Sequence, residues 1–151
     1  MSHITTIKLV IKDLATLEAA CAELGASLHR NVPTYNWYGT KVGDEPLPEG
    51  MTLADLGKCD HVIRLPGVHY EIGVVASKTT AGSYTLAWDF FGQGKNPRHD
   101  GMKLKERFGD NLVRLQDTYG AHTAMAMLRQ KGFLPVRKTL PNGAIQITCA
   151  A

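Results

Sequence analysis

The residues able to do chemistry are six histidines, three cysteines and one carboxylate set in an aromatic strand. The histidines are His3, His29, His61, His69, His99 and His122, and none falls in HExxH or another ligand spacing. Cys59-x-His61 brings two metal-ligating types close, since alternate residues of a strand share a face. A zinc site needs two further ligands, or one plus water, and the sequence nominates none. No metal site and no cofactor is therefore expected. An odd cysteine count without CxxC fits no disulfide framework and favours a reducing compartment. Cys21 and Cys149 lie in apolar patterns and read as small core residues.

His122 follows Tyr119 by one helical turn and sits on the flank of an apolar face, as a half-buried structural histidine would. Its sharper reading pairs it with His3 or Asp89 at the sheet edge, as a ligand-binding or acid–base group. Asp89 lies between Trp88 and Phe90. It faces water if helices cover only one side of the sheet. If its own side is covered, it needs a partner such as Arg114 or a histidine. Gly92-Gln93-Gly94-Lys95 has the flavour of a phosphate loop, but GxxxxGK[ST] is not met. With Arg98 and His99 the loop is a candidate anion site. The ligand-binding candidates are thus His3, Trp37, Asp89, Lys95, Arg98, His99, Tyr119 and His122. There is no GxSxG and no catalytic cysteine signature, so no catalytic residue is nominated.

The elements that must position these groups follow from periodicity. Residues 4–11 are β-branched and apolar, which predicts a strand. Asp13 is placed to cap a helix carrying Leu14, Leu17, Cys21 and Leu24 on one stripe, ended by Gly25. Residues 27–30 read as a short strand. Residues 31–60 hold three prolines and several glycines without a sustained period, which reads as a loop-rich insertion with a helical turn near Met51–Leu56. Tyr35, Trp37 and Tyr38 either pin that insertion to the body or form a binding lip. Strands are expected over 61–65, 70–76 and 84–91, the last placing Tyr84, Leu86, Trp88 and Phe90 on one face. A helix spans about 102–131, broken near Gly109, with Leu112, Leu115, Tyr119 and Ala126 on one side. Asn142-Gly143 between apolar runs predicts a hairpin of 134–140 with 144–149.

This order predicts one α+β domain over residues 1–151. It is a ferredoxin-like antiparallel sheet with two main helices packed on one face, a long irregular insertion and a C-terminal β-hairpin. At 151 residues, with 44% hydrophobic and 21% charged, the chain can bury its own core. A net charge of +3, spread along the chain, argues against a dedicated nucleic-acid binder. No apolar run reaches a membrane span and the N-terminus lacks a signal-peptide core.

The opening Met-Ser-His-Ile-Thr-Thr-Ile-Lys, Asp13 and Leu24-Gly25 resemble an uncharacterised family. So do Tyr70–Val74, Leu115–Thr123, Gln130-Lys131-Gly132-Phe133 and Asn142-Gly143. The ordered set is similar to domain-of-unknown-function family 1257, which includes a hypothetical plastid reading frame and cyanobacterial and phage members. The chain departs from that pattern in residues 31–58 and in lacking a basic-aromatic tail. The resemblance implies no reaction and no ligand. The unpaired cysteines and the lack of a signal or membrane segment predict a cytoplasmic setting, to which the resemblance adds a plastid stroma, or a host cytoplasm if phage-encoded. The expectation is a non-enzymatic accessory or binding protein working through protein contacts and self-association. Two alternatives stand beside it: a small anionic ligand or nucleotide at Lys95, Arg98, His99, His122 and Trp37, and single-stranded nucleic acid on Tyr84, Trp88 and Phe90.

Overall fold

A computed structural model describes residues 5–6, 10–41, 46–48, 50–93 and 95–150, with the side chains of Thr5, Thr6 and Ala150 left aside. Strand β1 (Thr5–Thr6) leads to helix α1 (Leu14–Glu23) and then to β2 (Ser27–Arg30). Three further strands follow the insertion: β3 (His61–Arg64), β4 (Ile72–Ala76) and β5 (Tyr84–Trp88). Helices α2 (Gly101–Phe108) and α3 (Val113–Gln130) precede the hairpin of β6 (Leu134–Thr139) and β7 (Ile145–Ala150).

Local chemistry sets most of these boundaries. The Asp13 carboxylate accepts the N–H groups of Ala15 and Thr16, at 2.9 and 3.2 Å, and so starts α1. Strand β5 ends at Trp88, three residues before the expected Phe91, because the Asp89 carboxylate takes the N–H of Phe91 at 2.9 Å and turns the chain. The helical stretch after Met102 divides as expected. Gly109 and the left-handed Asn111 and Leu112 bend the backbone between α2 and α3. That bend lets Leu104 and Phe108 on one helix and Leu115 and Tyr119 on the next reach the same core. Ala126, expected on the apolar side of α3, is exposed.

Strands β2 to β5 form an antiparallel meander, and β1 pairs with β5 to give the order β1-β5-β4-β3-β2. The protein is therefore α+β with an antiparallel sheet. Three strands separate β1 from β2 across the α1 connection, where a ferredoxin-like unit has one. The hairpin β6–β7 does not join this sheet; it is a second, two-stranded sheet packed on α3.

Alternation sorts the sheet residues between two cores. Ile63, Ile72, Val74, Leu86 and Trp88 face the helices and pack with Leu17, Cys21, Leu104, Phe108, Leu112 and Leu115. Each such buried side chain contributes roughly 1.5–3 kcal/mol. Val62, Val75 and Ala87 face the other way and are covered by the insertion through Tyr35, Val32, Trp37 and Leu56. Within that insertion Thr34 bridges to Lys58, and Leu53–Asp55 form a short 3-10 turn.

Two expectations need correction. Trp88 is buried between sheet and helices with Phe90 packed against it, so this face is no open platform for stacked bases. Cys149 is exposed on the hairpin rather than in the core, because that hairpin stands outside the main sheet.

Candidate functional site

Two of the carboxylates that the fold buries lie at one end of the sheet. Asp89, just past β5, is 2% exposed, and Asp100, just before α2, is 1% exposed. Asp89 does not face water, because the insertion reaches over it: Oδ2 accepts the N–H of Tyr38 at 3.4 Å, while Oδ1 accepts that of Phe91. Asp100 accepts the N–H of Tyr70 at 3.0 Å on one oxygen and that of His69 at 2.7 Å on the other. The His69 ring lies 3.2 Å from that second oxygen. Burial alone would raise the Asp100 pKa, but these N–H groups and the ring outweigh it and hold the carboxyl below its usual range.

Four rings close the same corner. Tyr38 lies 4.9 Å from Phe91 and 5.0 Å from His99, with Phe91 and His99 5.7 Å apart. Tyr70 packs 6.4 Å from His99. The Tyr70 side chain is 1% exposed, and among the described residues its hydroxyl has no hydrogen-bond partner. Burial, followed by the charges of Asp89 and Asp100, pushes that phenol well above its usual pKa, so it stays protonated. Together the two carboxylates hold the chain at Tyr38, at His69 and Tyr70, and at Phe91.

The corner thus contains two of the candidates, Asp89 and His99. Trp37 lies apart from it, against Gly57 inside the insertion. Lys95 and Arg98 are exposed in the loop that ends at His99. Tyr119 is buried under the start of α1, where its hydroxyl accepts the N–H groups of Lys12 and Asp13 at 3.1 and 3.4 Å. His3 lies outside the described residues. Arg114, considered as a partner for Asp89, instead donates to the carbonyls of Glu106 and Arg107.

His122 belongs to a different cluster. Its Nε2 lies 3.1 Å from Oε1 of Glu23, and Arg137 grips both oxygens of the same carboxylate, with Nη2 at 2.7 Å from Oε2. The Arg137 hydrogen bonds, against a smaller opposing effect of burial, hold the Glu23 pKa low. This network ties α1, α3 and β6 together. Sequence reasoning passes over Glu23, yet a signal is present. It closes α1 at the negative end of the helix dipole, where a carboxylate is disfavoured without a cation beside it. Asp100 and Tyr70 carry no comparable signal, since their meeting joins two loops 30 residues apart.

Cys59 and His61 are engaged separately. The Cys59 thiol donates to the carbonyl of Val32 at 3.1 Å, and His61 Nδ1 accepts the N–H of Asn31 at 3.0 Å. Burial pushes the Cys59 thiol up to about 12, far from a thiolate ligand at neutral pH. Among the described residues no group of three His, Cys, Asp or Glu is placed to hold a metal ion, and no helix is long and apolar enough to cross a membrane.

The C-terminal hairpin presents surface of another kind. Leu134 is 70% and Val136 61% exposed on its outer face, with Phe133 and Met127 exposed close by in the chain. Residues 118–151 include Arg129, Lys131, Arg137 and Lys138 and none of the 14 Asp and Glu residues. A groove of about 380 Å³ runs between Gln116, Asp117 and Gly120 of α3 and Ala144, Ile145 and Ile147 at β7.

No family model, no curated protein and no solved structure matches the chain.

Proposed function

We propose that this is a non-enzymatic binding protein that works through protein contacts, beginning with self-association, and that the C-terminal hairpin is its contact unit. One observation carries the reading: the hairpin is a two-stranded sheet that stands outside the main sheet, and among the described residues no strand covers its β7 edge. An uncovered edge on a small antiparallel sheet, with Leu134 and Val136 exposed beside it, is what a protein interface needs before its partner arrives. The buried polar corner supports it from the other side. Asp89 and Asp100 are both bonded to backbone N–H groups, which is the work of holding loops rather than of turning over a substrate. Size-exclusion chromatography with light scattering at tens of micromolar, a range in which weak assemblies persist, tests this reading. A dimer or larger assembly is expected, and a monomer overturns it.

A second reading takes the basic loop at Lys95 and Arg98 as a seat for a small anionic ligand or nucleotide. It is favoured by the anchoring of that loop. Gly101 and Met102 donate their N–H groups to the carbonyls of Phe91 and Gly92, at 2.8 and 2.9 Å, and His99 is held among the rings. A thermal-shift screen with nucleotides and inorganic phosphate tests it, and no stabilisation by any of them discards it.

Kinship with family 1257 rests on the residues quoted for it and is kept as a proposal, together with the cytoplasmic, stromal or host-cytoplasmic setting. We also read the sheet as a ferredoxin-like split βαβ unit widened by a hairpin. In support, β1 and β2 run parallel at the two edges, joined by α1, with the other strands between them.

A further inference from the structure

We propose that the free edge of β7 is a strand-addition site, and that its occupant is β7 of a second copy, paired antiparallel about a two-fold axis through Ile147. The inference rests on the self-association reading and deepens it.

Hydrogen-bond parity shows which groups the edge offers. Leu140 donates its N–H to the carbonyl of Ala144 at 2.8 Å, so these residues form a hydrogen-bonded pair. Bonded and non-bonded pairs alternate along an antiparallel ladder. In the observed register Lys138 with Gln146, and Val136 with Thr148, are then bonded pairs. The main-chain groups of Ile145, Ile147 and Cys149 point away from β6, and no strand lies beyond them among the described residues.

The two edges of the hairpin differ. On β6 the outward-pointing positions are Pro135, Arg137 and Thr139. Proline has no N–H to give and arginine adds charge, and both guard an edge. On β7 the whole run Ile-Gln-Ile-Thr-Cys-Ala is uncharged and rich in β-branched residues, with no proline. Such an edge is a template for another strand.

Charge selects the occupant and the mode. Packing two outer hairpin faces together would bring Arg129, Lys131 and Lys138 of both copies into one interface that lacks a single acidic residue from 118 onward. Edge pairing avoids this, because neutral β7 strands meet while Arg137 and Lys138 stay on the far strands. Two identical strands running antiparallel also satisfy the symmetry of an isologous dimer.

The groove gives the added strand room. Arg137 of β6 reaches Glu23 on α1, which puts β6 on the α1 side of α3. The groove is lined by β7 and by Gln116, Asp117 and Gly120, on the opposite side. A strand beside β7 extends the sheet across that groove. A β-carbon at Gly120 would meet nothing within 4 Å in the single protomer, so glycine is not required there for room within it.

In this register Ile145 faces Cys149 of the second copy, with Cα atoms about 5.5 Å apart, within disulfide range. Within one chain the same two residues stand about 13 Å apart along the strand, too far to bridge. The test oxidises the full-length Ile145→Cys protein. A disulfide-linked dimer is expected, absent from the wild type and from Ile145→Cys/Cys149→Ser. Gly120→Leu, whose β-carbon has open space in the protomer and whose branched end enters the groove, is expected to weaken the assembly about tenfold or more without loss of helical circular dichroism. A wild-type dimer with no Ile145→Cys cross-link, or a Gly120→Leu dimer as tight as wild type, overturns the edge pairing and leaves self-association standing. A monomeric wild type overturns both.

Discussion

The ring of Tyr35 occupies the space over Gly73 in which a β-carbon there would have to sit. Gly73 is not in the left-handed region, so glycine is needed here for room rather than for backbone freedom. The contact seats the insertion on the far side of the sheet and turns that side into a second core with Val62 and Ala87. Replacing Gly73 with Ala is expected to destabilise the protein by about 1–3 kcal/mol through overpacking. Urea unfolding measures this. A double-mutant cycle with Tyr35→Leu is expected to recover part of the loss, and simple additivity of the two would show that the contact is not the cause.

Removing the Asp100 carboxylate strands the N–H groups of Tyr70 and His69. Asp100→Ala is expected to cost about 2–3 kcal/mol, since the N–H groups lose a charged acceptor in a buried place. The pH dependence has a definite sign. The folded-state pKa lies below the usual 3.8, so the contribution is complete above that value and disappears as pH falls through the folded-state pKa. Acid titration of stability is expected to be shallower below pH 4 in Asp100→Asn than in the wild type. Identical acid limbs would contradict the assignment.

Tyr70 predicts the opposite response. Its hydroxyl is buried without a partner among the described residues, so Tyr70→Phe removes a desolvated polar atom and breaks none of the bonds described. The change is expected to be neutral or stabilising by up to about 1–2 kcal/mol. A fall in melting temperature of several degrees would show that the hydroxyl is engaged after all.

The Glu23 cluster fastens the hairpin to the body through Arg137, which is partly exposed. Arg137→Met is therefore expected to cost only about 1 kcal/mol globally. Its clearer effect is local: amide hydrogen exchange over residues 134–150 speeds up while exchange in β3 to β5 is unchanged. Glu23 is depressed in pKa, so this contribution holds above the ordinary carboxylate range and is lost on acidification through the lowered folded-state value. Uniform exchange rates across the variant would argue that the hairpin is fastened by α3 contacts alone.

Short-range signals make the elements legible in the sequence itself. Asp13 caps α1 by accepting the N–H groups of Ala15 and Thr16, Asn142-Gly143 closes the β6–β7 turn, and the break near Gly109 separates α2 from α3. What stays hidden is the pairing of distant surfaces. Asp89 reads as water-facing as long as the residues of the insertion have no address, and only the placement of Tyr38 and Tyr35 on that side buries it. Pairing His122 with Asp89 or His3 requires knowing which strand end meets α3, and periodicity does not supply that. Its neighbour is Glu23 on α1, 99 residues earlier. Cys149 has a core-like sequence context but belongs to a sheet with one side in solvent. Periodicity gives the apolar face of an element and says nothing of what covers it.

In the proposed pairing, Pro135 would set an upper limit on assembly size. It occupies a position on β6 where the ladder to β7 asks for no N–H, so the hairpin loses nothing by carrying it. Once two β7 strands have met, the outermost strands of the joined sheet are both β6, and each presents a missing donor and a guanidinium to any newcomer. The proposed pairing would then stop at a closed pair, and the edge that invites the first neighbour would not go on to seed a fibre.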